Sequence, residues 1–430
     1  MSYQRPKGTA DILPGQSELW QRVEAIARTV MTRYRYREVR TPLFENMEVF
    51  ARTSGETSDI VTKEMYNFED KGGRMMALRP EGTAGVARAY VENKLYGPEF
   101  AKPYKVFYMG SMFRYERPQS GRQREFHQVG VEAFGVDSPA LDAEVIALGV
   151  DLLTALGARS LKVAINTLGD PTSRQSYHQA LIDYLTPFAD QLSADSQVRL
   201  TRNPLRVLDS KDKGDQAIVA NAPKILDYLT PNAAAHFATV QAQLDALGIA
   251  YEIDPDMVRG LDYYNHTIFE VMSDDPVFGG GFTTILGGGR YNGLVEELGG
   301  PETPGVGFGM GIERAMLLMQ DQTVADRLPV YIVTISADAA ATAARLAHEI
   351  RLQGYPVDLD YQGRKAKAQF KAANKANAEL VMTLGETELA EGVVTVKNMA
   401  TGEQQQVQQA AIAGSFKQVY TELTEAAQHE

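Results

Sequence analysis

Within six residues, Arg259-Gly260-Leu261-Asp262-Tyr263-Tyr264, this chain sets a guanidinium, a glycine and two phenols side by side. Guanidinium forks onto oxyanions, and phenols both donate and accept hydrogen bonds. The pair therefore suits a small ligand that carries an anion and a planar polar ring. Alone, the run reads equally well as a strand edge with a surface arginine. Three further runs each set an arginine close to a glutamate: Leu78-Arg79-Pro80-Glu81-Gly82-Thr83, Phe113-Arg114-Tyr115-Glu116-Arg117-Pro118 and Gly309-Met310-Gly311-Ile312-Glu313-Arg314.

Between the second and third of these lies Glu125 to Phe134. As a strand it puts Phe126, Gln128, Gly130 and Glu132 on one face. Gln128 and Glu132 would then stand roughly 13 Å apart, at about 3.3 Å per residue. Gly130 has no side chain, so the two could lean together over it as a cradle, although a solvated strand face explains them as well. Arg114 ends the opposing strand and Arg122 lies in the connecting tip, both able to fork onto phosphate oxygens. Glu81 suits an ammonium ligand, or equally a helix cap. The glycines at 287–289 and 305–311 lack a Gly-Lys-Ser/Thr and a complete Gly-x-Gly-x-x-Gly after a strand, so neither a P-loop nor a dinucleotide fold is indicated. Close approach of backbone to a ligand is the better reading.

The elements that must position these groups fall into three textures. Ser17 to Arg33 has Leu19, Val23, Ile26, Ala27 and Val30 at helical spacing, with Ser17 as a plausible N-cap. A strand follows over Glu38 to Phe44, interrupted by Pro42. Two hairpins come next, Met65–Phe68 with Met75–Leu78, and Tyr104–Glu116 with Glu125–Phe134 around the polar tip Arg117 to Arg124. From about 170 to 251 the texture is helical, over Ser173–Tyr184, Gln216–Leu229 and Ala234–Leu247. Sheet texture resumes from Val258 to Leu286, and the Gly287–Gly289 cluster leads to a short helix. After a polar linker, Gln320 to Pro329, strands and helices alternate: Val330–Ser336, Ala339–Gln353, Pro356–Tyr361, Arg364–Lys375 and Leu380–Leu384. That alternation predicts a small mixed or parallel sheet covered by helices. Gln404–Gln409 reads as a Gln-rich helix start.

A chain of 430 residues should divide into two or three domains. No apolar run approaches 18 residues and Met1–Leu13 has no apolar core, so neither a membrane span nor a secretory signal is expected. Cysteine is absent, which excludes disulfides and thiolate zinc sites; six histidines without ligand spacing argue against a dedicated metal site. A cytoplasmic enzyme fits. The net charge of −12 opposes non-specific DNA binding. Two local stretches run against it: Lys102 to Arg124 holds six basic residues and one acid, Arg364 to Lys375 five and none.

Taken in order, these runs resemble the class II aminoacyl-tRNA synthetases, and among them the histidyl-tRNA synthetases. The likeness spans essentially the whole chain and includes Lys7-Gly8-Thr9, Gly288-Gly289-Arg290-Tyr291, and Asn203-Pro204-Leu205-Arg206 with Leu208-Asp209-Ser210-Lys211. It implies an α+β fold: a class II antiparallel sheet with flanking helices over 1–169 and 252–325, a helical insertion over 170–251, and a C-terminal α/β anticodon-binding domain over 328–430. It also implies a homodimer through residues 17 to 44, with Pro42 at the interface.

The resemblance further implies ATP-dependent activation of L-histidine and its transfer to the 3′ end of histidine tRNA, with Mg2+ bound with ATP and no protein-held metal. Glu81, Gly82, Thr83 and Gln128 would then bind the amino end of histidine, Glu132 and Tyr264 its imidazole, and Tyr263 the pocket wall. Arg259 would sit at the carboxylate and α-phosphate. Arg114 and Arg314, with Arg122, would hold ATP. Arg117, Gln119 and Arg124 at the hairpin tip, and Arg364, Lys367, Lys371 and Lys375, would meet tRNA. Arg35 and Asn292 depart from the family's usual Gly and Asp. A regulatory, histidine-sensing paralogue of the same fold, serving ATP phosphoribosyltransferase, is the alternative; it lacks the C-terminal domain and degrades the catalytic arginines. A sister ligase for glycine, proline or threonine comes third.

Overall fold

The two hairpin strands that carry Arg114, Gln128 and Glu132 form one side of an eight-stranded sheet. The computed structural model describes residues 3–54, 58, 60–119, 121–319 and 327–425. Ser120 of the hairpin tip and residues 320–326 of the expected linker lie outside them. The chain divides into two compact units, Met1–Thr323 and Val324–Glu430.

In the first unit the sheet order is Arg37–Glu38, Tyr104–Phe113, Glu125–Phe134, Gly305–Gly311, Thr283–Arg290, Asn265–Ser273, Leu161–Thr167 and Glu252–Ile253. The six central strands pair antiparallel, and the two short edge strands pair parallel to their neighbours. The helices Ser17–Arg33 and Pro139–Ala155 bury Val23, Ala27, Val30, Ile146 and Leu148 against it in one core. Helix Pro231–Ala246 joins that core through Phe237, Val240 and Leu244. Among the described residues no helix is long and apolar enough to cross a membrane.

Several expectations need correction. Gln16, not Ser17, is the N-cap position of the first helix, and its side chain makes no capping bond. Glu38–Phe44 is not one strand: Arg37–Glu38 pairs in the large sheet, whereas Phe44–Asn46 joins a three-stranded sheet with Asn67–Glu69 and Met75–Leu78. Pro42 falls in the break, since it has no amide to donate to a ladder. Gln216–Leu229 splits into Lys213–Val219 and a single turn, Ile225–Tyr228, because Pro223 cannot continue the first helix. Val258 to Tyr264 is loop rather than strand, and the glycines at 287–289 lie inside the strand Thr283–Arg290. Arg35 has a φ of 64°, the left-handed conformation a glycine would take without cost, so the side chain there costs about 1 kcal/mol.

The second unit is a five-stranded mixed sheet ordered Val357–Leu359, Leu328–Thr334, Ala378–Leu384, Val393–Asn398 and Gln404–Gln408. Its first two pairings are parallel and its last two antiparallel. Gln404–Gln408 is thus an edge strand, and the helix begins only at Gln409. The basic helix starts at Ala366, with Arg364 and Lys365 ahead of it.

Candidate active site

A cavity of about 240 Å³ opens over the large sheet. Glu81, Thr83 and Gln128 line it, as do Tyr263, Tyr264, Arg259, Arg114, Arg122 and Arg314. Four separate runs of sequence therefore converge on one space.

Glu81 does two things at once. Its Oε2 accepts from the amide of Thr83 over 2.6 Å and its Oε1 from that of Ala84 over 2.8 Å, so it caps the helix Thr83–Glu92. A carboxylate has lone pairs to spare beyond these two bonds. Burial raises its pKa, against the pull of the two amides. Gly82 is required sterically, because a Cβ there would overlap the ring of Tyr108.

The expected cradle between Gln128 and Glu132 does not form. Tyr108 pairs with Gly130 across the hairpin, and its ring fills the space that the glycine leaves. Gln128 keeps to the open cavity, while Glu132 is fully buried beneath it and does not line it. Thr83 Oγ1 donates to Glu132 Oε1 over 2.6 Å, and the Tyr291 hydroxyl donates to Oε2. Burial pushes the Glu132 carboxyl up to about 8, although the Thr83 and Tyr291 hydroxyls oppose the rise. A carboxyl group that holds its proton more tightly than an ordinary one thus lies under the cavity, one hydroxyl removed from its contents.

Tyr263 and Tyr264 are both 6% exposed, with ring centroids 4.5 Å apart. Arg259 lies 5.6 Å from the Tyr264 ring centroid and forms an ion pair with Glu270. Glu270 also accepts from Thr284 Oγ1 over 2.6 Å. The glycine reading gains a specific cause here: Gly287 pairs with Glu270 across the sheet, and a Cβ at 287 would overlap the Arg259 guanidinium. Arg259 Nε is buried and has no hydrogen-bond partner among the described residues.

Cationic groups gather at the hairpin tip. Arg114 Nε donates to the Pro80 carbonyl over 2.8 Å, Arg122 reaches Glu116 at 3.4 Å, and Arg314 donates to the Thr284 carbonyl over 2.6 Å. Burial and the like charge of Arg122 lower the pKa of Arg314. Two cations held close in a cleft favour an anionic ligand. Arg124 does not share this space: it stacks on Tyr115 at 3.8 Å and packs against Gly8, whose added Cβ would lie 2.7 Å away. Arg117 and Gln119 are exposed and do not line the cavity.

Sequence reasoning did not single out Tyr108, Glu270, Thr284 or Glu313. Glu313 accepts from the backbone amide of His127 at 2.9 Å and holds its ring. A glycine facing an aromatic across a hairpin was the available signal for Tyr108; for Glu270 there was none. Arg290 proves wholly structural, buried against Asp142, which also binds Thr267 and His236. Asn292 supplies its amide oxygen to Arg290 and to the Gly305 amide, both at 3.3 Å, so a neutral acceptor serves there.

The family model for histidyl-tRNA synthetase matches residues 8–315, and that for an anticodon binding domain matches residues 329–418. The histidine–tRNA ligase of Lacticaseibacillus casei strain BL23 is 68% identical over 426 residues, covering 99% of this chain and 100% of the relative. That of Levilactobacillus brevis is 64% identical over 423 residues, covering 97% and 98%. Among solved structures, apo histidyl-tRNA synthetase of S. aureus superimposes with a TM-score of 0.83 at 40% identity, covering 96% of this chain and 99% of that one. The chain belongs to the histidyl-tRNA synthetase family.

Proposed function

We infer that this chain is a histidine–tRNA ligase, which condenses L-histidine with ATP to histidyl-adenylate and passes the histidyl group to the 3′ end of histidine tRNA. One observation carries the reading: a single cavity joins a carboxylate, an amide and two phenols, Glu81, Gln128, Tyr263 and Tyr264, to four guanidinium groups, Arg114, Arg122, Arg259 and Arg314. An amino acid and a triphosphate need those two chemistries side by side.

Glu81, Thr83 and Gln128 receive the α-ammonium group. Tyr264 and the floor built on Glu132 take the imidazole, whose one N–H and one lone pair need one acceptor and one donor. Arg114, Arg122 and Arg314 hold the triphosphate. Arg259 meets the carboxylate and α-phosphate, where it stabilises the charge that develops as carboxylate oxygen attacks phosphorus and diphosphate leaves. Mg2+ enters with ATP, as a partner of its phosphates. The basic face of Ala366–Lys375 and the tip residues Arg117, Gln119 and Arg124 contact tRNA, with 328–430 as the anticodon-binding domain and 170–251 as an insertion within the catalytic one, 1–169 and 252–325. The active form is a homodimer through residues 17–44 in the cytoplasm. Leu43 and Phe44, 48% and 51% exposed beside Pro42, support that interface. The regulatory paralogue is not favoured, since Arg114, Arg259 and Arg314 are all present in the cavity.

ATP–diphosphate exchange measured with each of the twenty amino acids tests the reading. Histidine should support exchange; faster exchange with any other amino acid overturns it. Sedimentation of a fully active monomer would remove the dimer.

A further inference from the structure

Asn203-Pro204-Leu205-Arg206 plays no part in the chemistry above, yet its side chains end on the loop that bears Arg259. Residues 258–264 belong to no strand or helix, so no ladder of backbone bonds sets the course of Arg259, Tyr263 and Tyr264. The restraint comes from the helical segment. Asn203 Nδ2 donates to Asp262 Oδ1 over 3.1 Å, and Arg206 Nε donates to the same oxygen over 3.2 Å. Arg206 Nη2 lies 3.1 Å from that oxygen and also donates to the Gly260 carbonyl over 2.5 Å. One guanidinium thus holds a side chain and a backbone carbonyl on either side of Leu261, a task its planar fork suits and a lysine ammonium does not.

Arg206 is itself well placed to act as an anchor. It sits in the turn Pro204–Val207, whose Pro204 and Val207 are buried, and its side chain is only 12% exposed. The restrained loop is a shared wall. Arg259, Leu261 and Tyr264 line the catalytic cavity and also a second, small cavity bounded by Asn203, Leu205 and Arg206. Arg206 does not line the catalytic cavity.

We propose that Arg206, assisted by Asn203, is a positioning residue for histidine activation: it pins Gly260 and Asp262 so that Arg259 and the two tyrosines keep their places. The ATP-facing arginines have separate supports, the Pro80 carbonyl for Arg114 and the Thr284 carbonyl for Arg314. Release of the loop should therefore disturb histidine more than ATP.

The inference rests on the histidine–tRNA ligase reading, and diphosphate exchange on the full-length protein separates the two. Arg206→Gln should lower kcat/KM for histidine by about tenfold to a hundredfold, since displacement of a reacting group by about 1 Å has effects of that size. KM for ATP should stay within about twofold and the melting temperature near that of the wild type. Arg206→Lys should recover part of the loss, because it restores one of the two bonds. Should Arg206→Gln fail to fold, Asp262→Ala removes the side-chain half of the clamp from the other side and should give the same split between histidine and ATP, with a smaller loss. A folded variant with unchanged kinetics overturns the proposal, as does an equal rise in both KM values with a falling melting temperature. Absence of histidine-dependent exchange in the wild type overturns the ligase reading and the proposal together.

Discussion

Charge is handled in opposite ways in the catalytic cavity and on the basic helix of the second unit. In the cavity Arg259 is paired with Glu270, Glu81 is engaged by two amides, and Glu132 lies under a layer of hydroxyls with its carboxyl raised to about 8. On the helix Ala366–Lys375 the side chains of Lys367, Lys371 and Lys375 are exposed, while Gln369 and Ala373 are buried on the other face. A small ligand is told from its analogues by what stays unpaired when the wrong one binds, so its site must be dry and fully bonded. A polyanion is held by release of its counterions, which requires accessible cations rather than buried ones. The same residue type therefore carries different consequences when it is substituted in the two places.

The sharpest way to break the contrast is Arg259→His. In the role proposed for it, Arg259 acts on the transition state, so its loss should lower turnover in adenylate formation by about 10²–10³-fold, the range seen for removal of one such group. Histidine binding should survive better than turnover, through the contacts at Glu81 and Tyr264. Pre-steady-state exchange and equilibrium binding measured together check this, and near-wild-type turnover in a folded variant removes Arg259 from the catalytic set. Glu132→Ala comes next. It strands the hydroxyls of Thr83 and Tyr291, both bonded to Glu132 and both buried. The expected loss is about 2–4 kcal/mol in kcat/KM for histidine. An enzyme as selective as the wild type after that change would reduce the floor to scaffolding.

Acid–base behaviour sharpens the same comparison. The native pKa of Glu132, about 8, stands above the ordinary carboxylate value of 4.5. Between those two values the native state keeps a proton that the unfolded chain has released. Stability from this group is therefore complete below the lower value and is lost as pH rises through the upper one. The slope inside the window is about 1.4 kcal/mol per pH unit. Urea unfolding at a series of pH values should show this loss in the ligand-free wild type, and Glu132→Gln should flatten it. An identical pH dependence in both proteins would assign the loss to other groups.

How much of this was legible in the sequence depended on how local each feature is. The long hairpin, the first helix and the alternating C-terminal elements follow from periodicity within a few residues, and their edges needed only small shifts. Gln404–Gln408 misled because glutamine carries no strand signal and an exposed edge strand shows no apolar alternation. At the site, the residue runs were visible but their depth was not. Glu132 and Gln128 share a strand face, yet only the register that sets Tyr108 opposite Gly130 separates the buried acid from the cavity-lining amide. Glu270 was invisible for the same reason, since its partner Arg259 reaches it over a glycine on a neighbouring strand. Arg364, conversely, looked like a free cation and is tied to Asp360 as an ion pair.

The smallest expected effect lies on the helix. Gln369 pins it to the sheet, accepting from the Thr334 amide over 2.9 Å and donating to the Thr334 carbonyl over 2.9 Å. Because that anchor is on the buried face, Lys367→Ala, Lys371→Ala and Lys375→Ala together should leave the helix intact; alanine is the best helix former. Adenylate formation should not change, as nothing in the catalytic cavity is touched. Binding of histidine tRNA should weaken, and the log–log dependence on salt should flatten by roughly one unit for each phosphate that a lysine no longer neutralises, about three at most. The slope is more telling than the affinity, because a solvated face that never meets RNA leaves it where it was. Charging with unaltered affinity and unaltered slope would make the lysines only a soluble surface, and the contrast between the two regions would then concern burial alone and not the kind of ligand each one meets.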